Sequence, residues 1–358
     1  MRVLITTPDL NGPGGVAHYY RAVLPKLPQS VESLVIGTDY SAVRRLPGPV
    51  RLILDIIAFT KRVGRYDLIH LNPSLCARCF FRELILLSIA KIARRRVLIF
   101  FRGWDKGFER KVDRHWKWLF RLGYCKADAI VVLAAEFEDV IRRWGYKGPV
   151  FRETTTVDEQ MLQGFDPLAR ICSGETFNVL FLARVEKDKG VYEAVDAVAK
   201  LATSRVKFLI GGDGGEKVRL EQYVAEKKYN GIEVCGYVRG DQKITAYQKA
   251  DVFLFPSYYG EGMPNSVLEA MAFGLPVITC PTGGLKDFFE DGKMGFLVPS
   301  RDVKAIVAAI KQLKDEPGLW VQISRFNAEY AREHFYSSRV AIRLQRIYEQ
   351  TMGGGEKS

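Results

Sequence analysis

The chain has 358 residues, 47% of them apolar and 26% charged, enough at about 150 residues per domain for two domains with cores of their own. That near-average composition excludes a disordered, collagenous or coiled-coil chain. The net charge of +12 falls almost wholly on one half: residues 1–170 carry 28 Lys and Arg against 17 Asp and Glu, the remainder 25 against 24.

At the amino terminus the apolar stretch of Met1 to Thr7 is too short for a signal-peptide core and reads as a first strand, so a cytoplasmic location is expected. Strand-like runs at 3–6, 34–36, 68–71, 97–101 and 129–132 alternate with segments of helical period. The pattern recurs with runs at 178–183, 207–210, 232–234, 252–255 and 276–279. This alternation predicts an α/β protein with two doubly wound parallel sheets, the two domains facing a cleft. Lys91 and then Arg94, Arg95 and Arg96 break the apolar run at 84–101 well short of the roughly 18 residues that span a bilayer. Between the two sets, 154–174 holds Gly164, Pro167 and Gly174 without periodicity and is the expected linker. The domains are accordingly bounded at 1–170 and 171–333. Residues 335–348 form an amphipathic helix, and the Gly353-Gly354-Gly355 tail is expected to fray.

Residues 76–126 carry 14 basic against 4 acidic side chains, interleaved with Phe80, Phe81, Phe100, Phe101, Trp104, Phe108, Trp116, Trp118, Phe120 and Tyr124. Such a mixture fits an anionic membrane surface, where cations meet headgroups and rings settle at the interface, or else a solvated helix face over a core stripe. Nucleic acid is not expected, because no recognition signature accompanies the charge. The six cysteines, at 76, 79, 125, 172, 235 and 280, have no framework spacing and are expected to be reduced. Cys76-x-x-Cys79 lacks the second pair that a zinc site needs and is read as buried and inert.

The richest stretch is Phe255-Pro256-Ser257-Tyr258-Tyr259-Gly260-Glu261-Gly262-Met263-Pro264-Asn265-Ser266-Val267-Leu268-Glu269-Ala270-Met271-Ala272-Phe273-Gly274. A buried strand ends, a loop follows, and Asn265 or Ser266 is placed to cap a short helix. Its amino end would offer N–H groups and a positive dipole end to a phosphate. Glu269, about one turn in, leans back toward that end, where a carboxylate can accept hydrogen bonds from two ribose hydroxyls. Glu261 could do the same for a second sugar. Two acids beside a bound anion need cations opposite. Arg184 at a strand end and Lys189 at the opening of the next helix can supply them and grip a diphosphate. No Asp-x-Asp ends an apolar strand, so no metal or other cofactor is expected.

The spacing of Glu261 and Glu269 within Glu-Gly-Met-Pro-Asn-Ser-Val-Leu-Glu-Ala-Met-Ala resembles the signature of family-4 retaining glycosyltransferases of the GT-B fold. Arg184-x-x-x-x-Lys189-Gly190, Gly211-Gly212-Asp213-Gly214, Gly236-Tyr237-Val238 and Gly292-x-x-Gly295 support the resemblance, which is dense over 177–300. It implies two Rossmann-like domains, with the carboxy-terminal helix, about 334–358, crossing back to the first. It also implies a nucleoside-diphosphate sugar donor, UDP being favoured, and a hexosyl transfer that retains anomeric configuration. Glu269 would bind the donor ribose, Glu261 would contact the transferred sugar, and Arg184 and Lys189 would hold the diphosphate. Backbone at Met263, Pro264, Asn265 and Ser266 would lie against sugar and phosphate, with Gly212 and Val238 on the nucleotide.

Asn11-Gly12-Pro13-Gly14-Gly15-Val16 resembles that family's first glycine loop, which lets backbone at Gly14 and Gly15 approach the donor phosphates. It lacks the Gly-x-Gly-x-x-Gly spacing of a dinucleotide fingerprint, which ranks a dehydrogenase below a transferase. Where many relatives place a His after the fourth strand, this chain has Arg102, suited to an acidic or phosphate-bearing acceptor or else a surface arginine. His70, at a strand end, is a second acceptor-side candidate beside a structural reading. Lipid-linked or growing glycan acceptors are expected, with peripheral docking at the membrane. The alternatives are a membrane-surface or polyanion-binding protein with a vestigial nucleotide site, and a nucleotide-sugar epimerase.

Overall fold

The computed structural model of the protein describes residues 1–12, 14–37, 47–172, 175–201, 205–226, 228, 231–260 and 262–353. The chain divides into two units, Met1–Thr156 with Gly260–Met263 and Ser337–Ser358, and Val157–Tyr259 with Pro264–Tyr336. The division falls at Thr156 and Val157, not at 170/171, because the expected linker is built into the second unit. Val157 bridges to Tyr336, and the Arg170 guanidinium donates to the carbonyls of Tyr247, Ala250 and Phe273.

In the first unit β1 (Val3–Thr7), β2 (Val31–Val35), β3 (Leu68–Leu71), β5 (Arg96–Phe100), β7 (Ala129–Val132) and β8 (Val150–Arg152) form a six-stranded sheet in the order β2-β1-β3-β5-β7-β8. A separate short pair joins β4 (Ser74–Leu75) to β6 (Gly103–Trp104). The second unit repeats the design with β9 (Phe177–Leu182), β10 (Val206–Gly211), β11 (Ile232–Gly236), β12 (Val252–Phe255), β13 (Val277–Thr279) and β14 (Gly295–Leu297), ordered β11-β10-β9-β12-β13-β14. Every neighbouring pair in both large sheets is parallel.

Burial explains which strands the sequence announces. β3, β7 and β12 are buried at every position, as strands covered on both faces must be, and so they read as continuous apolar runs. The edge strand β11 alternates half-buried with exposed residues along its first four positions. β8 and β14, three residues each, and the two-residue β4 and β6 are too short to show a period.

The last helix, Ser337–Gly353, returns to the first unit and buries Val340, Ala341, Leu344, Ile347 and Tyr348 in its core. Arg343 donates from Nε and Nη2 to the two Glu153 oxygens at 2.8 and 2.9 Å, beside β8. Gly354 and Gly355 of the expected frayed tail lie outside the described residues.

His70 ends in this core and is not an acceptor-side residue. Its ring is fully buried, Nδ1 lies 2.8 Å from the Tyr348 hydroxyl, and Nε2 lies 3.4 Å from that of Tyr20. Burial first, and then the charge of Arg102, press its pKa down from 6.5 to about 3. The unfolded chain therefore takes up this proton first, and stability is full above about pH 6.5 and declines as pH falls toward about 3. At pH 5 the imidazole should cost about 2 kcal/mol of stability. Urea unfolding between pH 7.5 and 5 should show this slope in the wild type and a shallower one in His70→Gln. Equal slopes would mean that the ring is not enclosed.

Candidate functional site

In the second sheet the chain runs β9, β10, β11 to one side and β12, β13, β14 to the other, so the order reverses between β9 and β12. In open α/β sheets ligands bind outside the carboxyl ends of the strands at such a reversal. The loops leaving β9 and β12 carry the residues singled out in the sequence.

These loops touch, and glycine makes the approach feasible. Gly190 has φ +73°, and a Cβ there would stand 2.3 Å from the Pro256 carbonyl oxygen. The backbone N–H groups of Tyr258 and Tyr259 donate to the Asp188 carbonyl at 3.0 and 3.2 Å. Lys189 ends a short 3-10 turn, Lys187–Lys189, and the helix proper starts two residues later at Val191. Its side chain is buried, with Nζ 4.4 Å from the centre of the Tyr259 ring. Arg184 is exposed just past the end of β9.

The loop after β10 is locked onto the same edge. A Cβ on Gly212 would meet the Ala183 carbonyl oxygen at 1.8 Å, and the Gly212 N–H donates to Gly236 at 2.6 Å. Val238 packs its side chain over the backbone of Gly211. Gly212 and Val238 thus share the carboxyl edge of the sheet with Arg184 and Lys189.

Glu269 sits on the helix Asn265–Ala272 that follows the β12 loop and is fully buried. The Lys243 ammonium lies 2.7 Å from Oε1 and 2.5 Å from Oε2. The Tyr247 hydroxyl donates to Oε2 at 2.8 Å and lies 3.1 Å from the Ser266 carbonyl. Burial, then the neighbouring carboxylate, drives the Tyr247 phenol well above 10, which keeps it a donor. Neither Lys243 nor Tyr247 was singled out in the sequence. Their four-residue spacing on the helix Asp241–Lys249 puts them on one face, and only the fold brings that face to Glu269. A carboxylate oxygen has more than one lone pair, so Glu269 can still accept from a hydroxyl.

Neither Asn265 nor Ser266 caps that helix. Pro264 occupies the N-cap position, and no side-chain cap bond is made, because the helix starts one residue earlier than the capping pattern requires. Its first turn is left uncapped by side chains, as an anion-binding helix end should be. Glu261 lies outside the described residues. Gly262 and Met263 beside it group with the first unit, Gly262 lying against Leu133 and Phe137.

In the first unit Gly14, with φ +115°, precedes the helix Gly15–Val23, and a Cβ on it would meet no atom within 4 Å. Arg102 is not a surface residue. It is 8% exposed, with its guanidinium carbon 3.7 and 4.3 Å from the centres of the Tyr19 and Phe100 rings, which stand perpendicular to each other. Its Nε and Nη1 make no hydrogen bond among the described residues.

The basic, aromatic segment 76–126 is largely core. Phe80, Phe100, Phe101, Trp104, Phe108, Phe120 and Tyr124 are buried, and of its Phe, Trp and Tyr rings only Phe81 and Trp118 are exposed. A different element turns apolar side chains outward. On the helix Gly48–Val63, Val50, Ile53, Leu54 and Ile57 are 43–57% exposed. Their i, i+3, i+4, i+7 spacing makes one continuous stripe, ahead of Lys61 and Arg62 in the last turn.

Lys243→Met would strand the buried Glu269 carboxylate with the Tyr247 hydroxyl as its main donor. A loss of about 1–3 kcal/mol in urea unfolding is expected, with Lys243→Arg retaining most of the stability. An unchanged midpoint in Lys243→Met would show that the pair does not hold this helix.

Residues 173–333 match the family described as glycosyl transferases group 1. The colanic acid biosynthesis protein named as glycosyltransferase WcaL, of Salmonella typhimurium, is 31% identical over 45% of this chain and 42% of its own. The phosphatidyl-myo-inositol mannosyltransferase of Mycobacterium leprae is 31% identical over 50% of this chain and 48% of its own. The chain thus spans less than half the length of each of these relatives. In fold it is similar to Anabaena HepE, solved in complex with UDP, with a TM-score of 0.75 at 16% identity over 98% of this chain and 100% of that one. The family likeness thus lies in residues 173–333, the part that carries Arg184, Lys189 and Gly212 at the carboxyl edge of its parallel sheet, and the chain has a GT-B fold.

Proposed function

We propose that the protein transfers a hexose or hexosamine-type sugar from a nucleoside-diphosphate sugar, UDP-sugar, to an acceptor hydroxyl with retention of configuration. The observation that carries this reading is the interlocked set of loops around Lys189, followed directly by a helix with an uncapped first turn and a buried carboxylate at Glu269. HepE, of the same fold, was solved with UDP, which supports the choice of nucleotide.

In this reading Arg184 and Lys189 draw negative charge onto the departing diphosphate, which is electrostatic catalysis without a metal. The departing oxygen takes the acceptor proton as the new bond forms. Glu269, steadied by Lys243 and Tyr247, accepts from the ribose hydroxyls. Glu261 orients the transferred sugar, so its loss acts through misalignment. Backbone at Gly14 and Gly15 meets the phosphates, while Met263, Pro264, Asn265 and Ser266 line the donor. Arg102 serves the acceptor side.

A melting-temperature screen against UDP, GDP, ADP and their sugars should show stabilisation by UDP compounds, since a ligand bound only by the native state raises it by mass action. With the donor so found, Arg184→Ala and Glu269→Ala should each lose about 100-fold in kcat/KM, roughly 2.7 kcal/mol of transition-state stabilisation. Wild-type turnover in both would refute the assigned roles. A product that is an altered nucleotide sugar without transfer would establish epimerisation instead.

We further propose that the acceptor is met at an anionic bilayer surface, an idea the sequence attached to 76–126 and the exposed stripe on Gly48–Val63 supports better. Apolar side chains there would enter the interface while Lys61 and Arg62 face the headgroups. The mannosyltransferase relative, named for phosphatidyl-myo-inositol, is consistent with a lipid acceptor. Vesicles rich in phosphatidylglycerol should retain the wild type at low salt, and Ile53→Ser/Leu54→Ser/Ile57→Ser should release it while keeping its UDP shift. Equal retention of both proteins, or of neither, would remove the bilayer from the proposal.

A further inference from the structure

The first sheet has a strand reversal of its own. From β1 the chain goes to β2 on one side and to β3, β5, β7 and β8 on the other. The order therefore turns between β1 and β3, the same feature that marks the ligand edge of the second sheet. A hollow of about 270 Å³ lies at that point, over the carboxyl ends of β1, β2 and β3. Asn72 ties two of those ends together. Its Nδ2 donates to the Thr6 carbonyl at 2.9 Å, and its Oδ1 accepts from the Tyr20 hydroxyl at 2.6 Å, so the wall is set before any ligand arrives.

Three groups in the hollow have hydrogen-bonding capacity to spare. Thr7 is 2% exposed, and its hydroxyl has no partner among the described residues, a cost that a ligand oxygen would remove. Arg78 and Arg82, four apart on the helix Ala77–Ile92, turn to the same side and line the hollow. Arg78 is exposed and enters no salt bridge among the described residues. Arg82 is steadied by Glu83, whose Oε1 accepts from its Nε and Nη2 at 2.9 and 2.6 Å. Its Nη1 is left facing the backbone of Gly37, where a Cβ would stand 3.5 Å from it. That helix has no side-chain cap and no acid in its first turn, so its positive end adds to the two guanidinium charges. Asp9 is the one acid among the described lining residues, and its Oδ1 accepts from the Asn11 N–H at 2.9 Å.

We propose that this hollow binds a phosphate ester of a polyol, with Arg78, Arg82 and the Thr7 hydroxyl donating to the phosphate and the polyol hydroxyls donating to Asp9. The donors select phosphate over carboxylate. One guanidinium satisfies a planar carboxylate with two parallel bonds, whereas two guanidiniums, a hydroxyl and a helix end around one space suit the tetrahedral oxygens of a phosphate. Asp9 selects for hydroxyls on the same ligand, because a carboxylate repels a bare phosphate but accepts hydrogen bonds from a polyol. That this ligand is the acceptor of the transfer rests on the function proposed above, while the site itself rests on the first unit alone.

Calorimetric titration of the full chain at low salt, without any donor, tests the site. Glycerol 3-phosphate should bind and glycerol should not. Glycerate, its carboxylate counterpart, should bind on the order of tenfold more weakly than glycerol 3-phosphate. Arg78→Ala should weaken glycerol 3-phosphate binding about tenfold and, because Arg78 is exposed, keep the wild-type melting temperature. Thr7→Val removes a hydroxyl that bonds nothing in the free protein, so it should weaken binding about threefold without lowering the melting temperature. A threonine with a merely structural role would show the reverse. Glycerophosphoglycerol, a diester, separates the sources of the phosphate. Tighter binding than the monoester assigns the site to a lipid headgroup, and weaker binding assigns it to a soluble phosphorylated polyol. Glycerol 3-phosphate bound no better than glycerol or glycerate, or bound equally by the wild type and Arg78→Ala, would overturn the proposal. UDP takes no part in the titration, and Arg78→Ala should keep the melting shift with UDP, so failure of the donor reading is distinguishable from failure of this one.

Discussion

A carboxylate removed from water must be met by donors, and in this protein that requirement organises the second unit. Glu269 is fully enclosed, and its ammonium and phenol partners come from one face of the helix Asp241–Lys249. The pairing fixes that helix against Asn265–Ala272. The Tyr247 hydroxyl reaches the Ser266 carbonyl as well, so the first turn of the shorter helix is steadied from the side and not by its own cap. The close approach of Gly190 to Pro256 fixes the other wall. The loop bearing Lys189 and the loop leading to Glu269 are therefore held by backbone contacts that no larger residue at position 190 would allow.

Much of this was legible in the sequence because buried parallel strands leave unbroken apolar runs. β3, β7 and β12 lie where those runs lie, and the paired glutamates announced the loop and helix after β12. The unit boundary was less legible. Residues 157–170 have the composition of a linker, yet Arg170 is drawn inward by three carbonyls, a tertiary bond without a local signature. Lys243 and Tyr247 were missed for the same reason, since a lysine and a tyrosine four apart on a helix resemble any solvated face.

In the first unit the sequence left two readings open. Aromatic residues interleaved with arginines fit a membrane surface or a core stripe beneath a solvated face, and most of them pack as core, Trp104 stacking 4.3 Å from Phe137 at 5° between planes. The arginine most open to interpretation, Arg102, lies against two rings. Meanwhile the apolar residues of Gly48–Val63 carry an ordinary amphipathic period. Period alone does not say which face turns inward, and here a stripe with Asp55 and Phe59 is buried while Ile53, Leu54 and Ile57 face out.

The return of Ser337–Gly353 to the first unit has a bearing on how the molecule is made. Synthesis proceeds from the amino terminus, so every residue of the second unit has been polymerised before Arg343 can reach Glu153. The half of the protein that leaves the ribosome first is thus the last to be finished. Until then the face that will receive Leu344 and Tyr348 stays uncovered in the nascent chain, a natural point of engagement for chaperones.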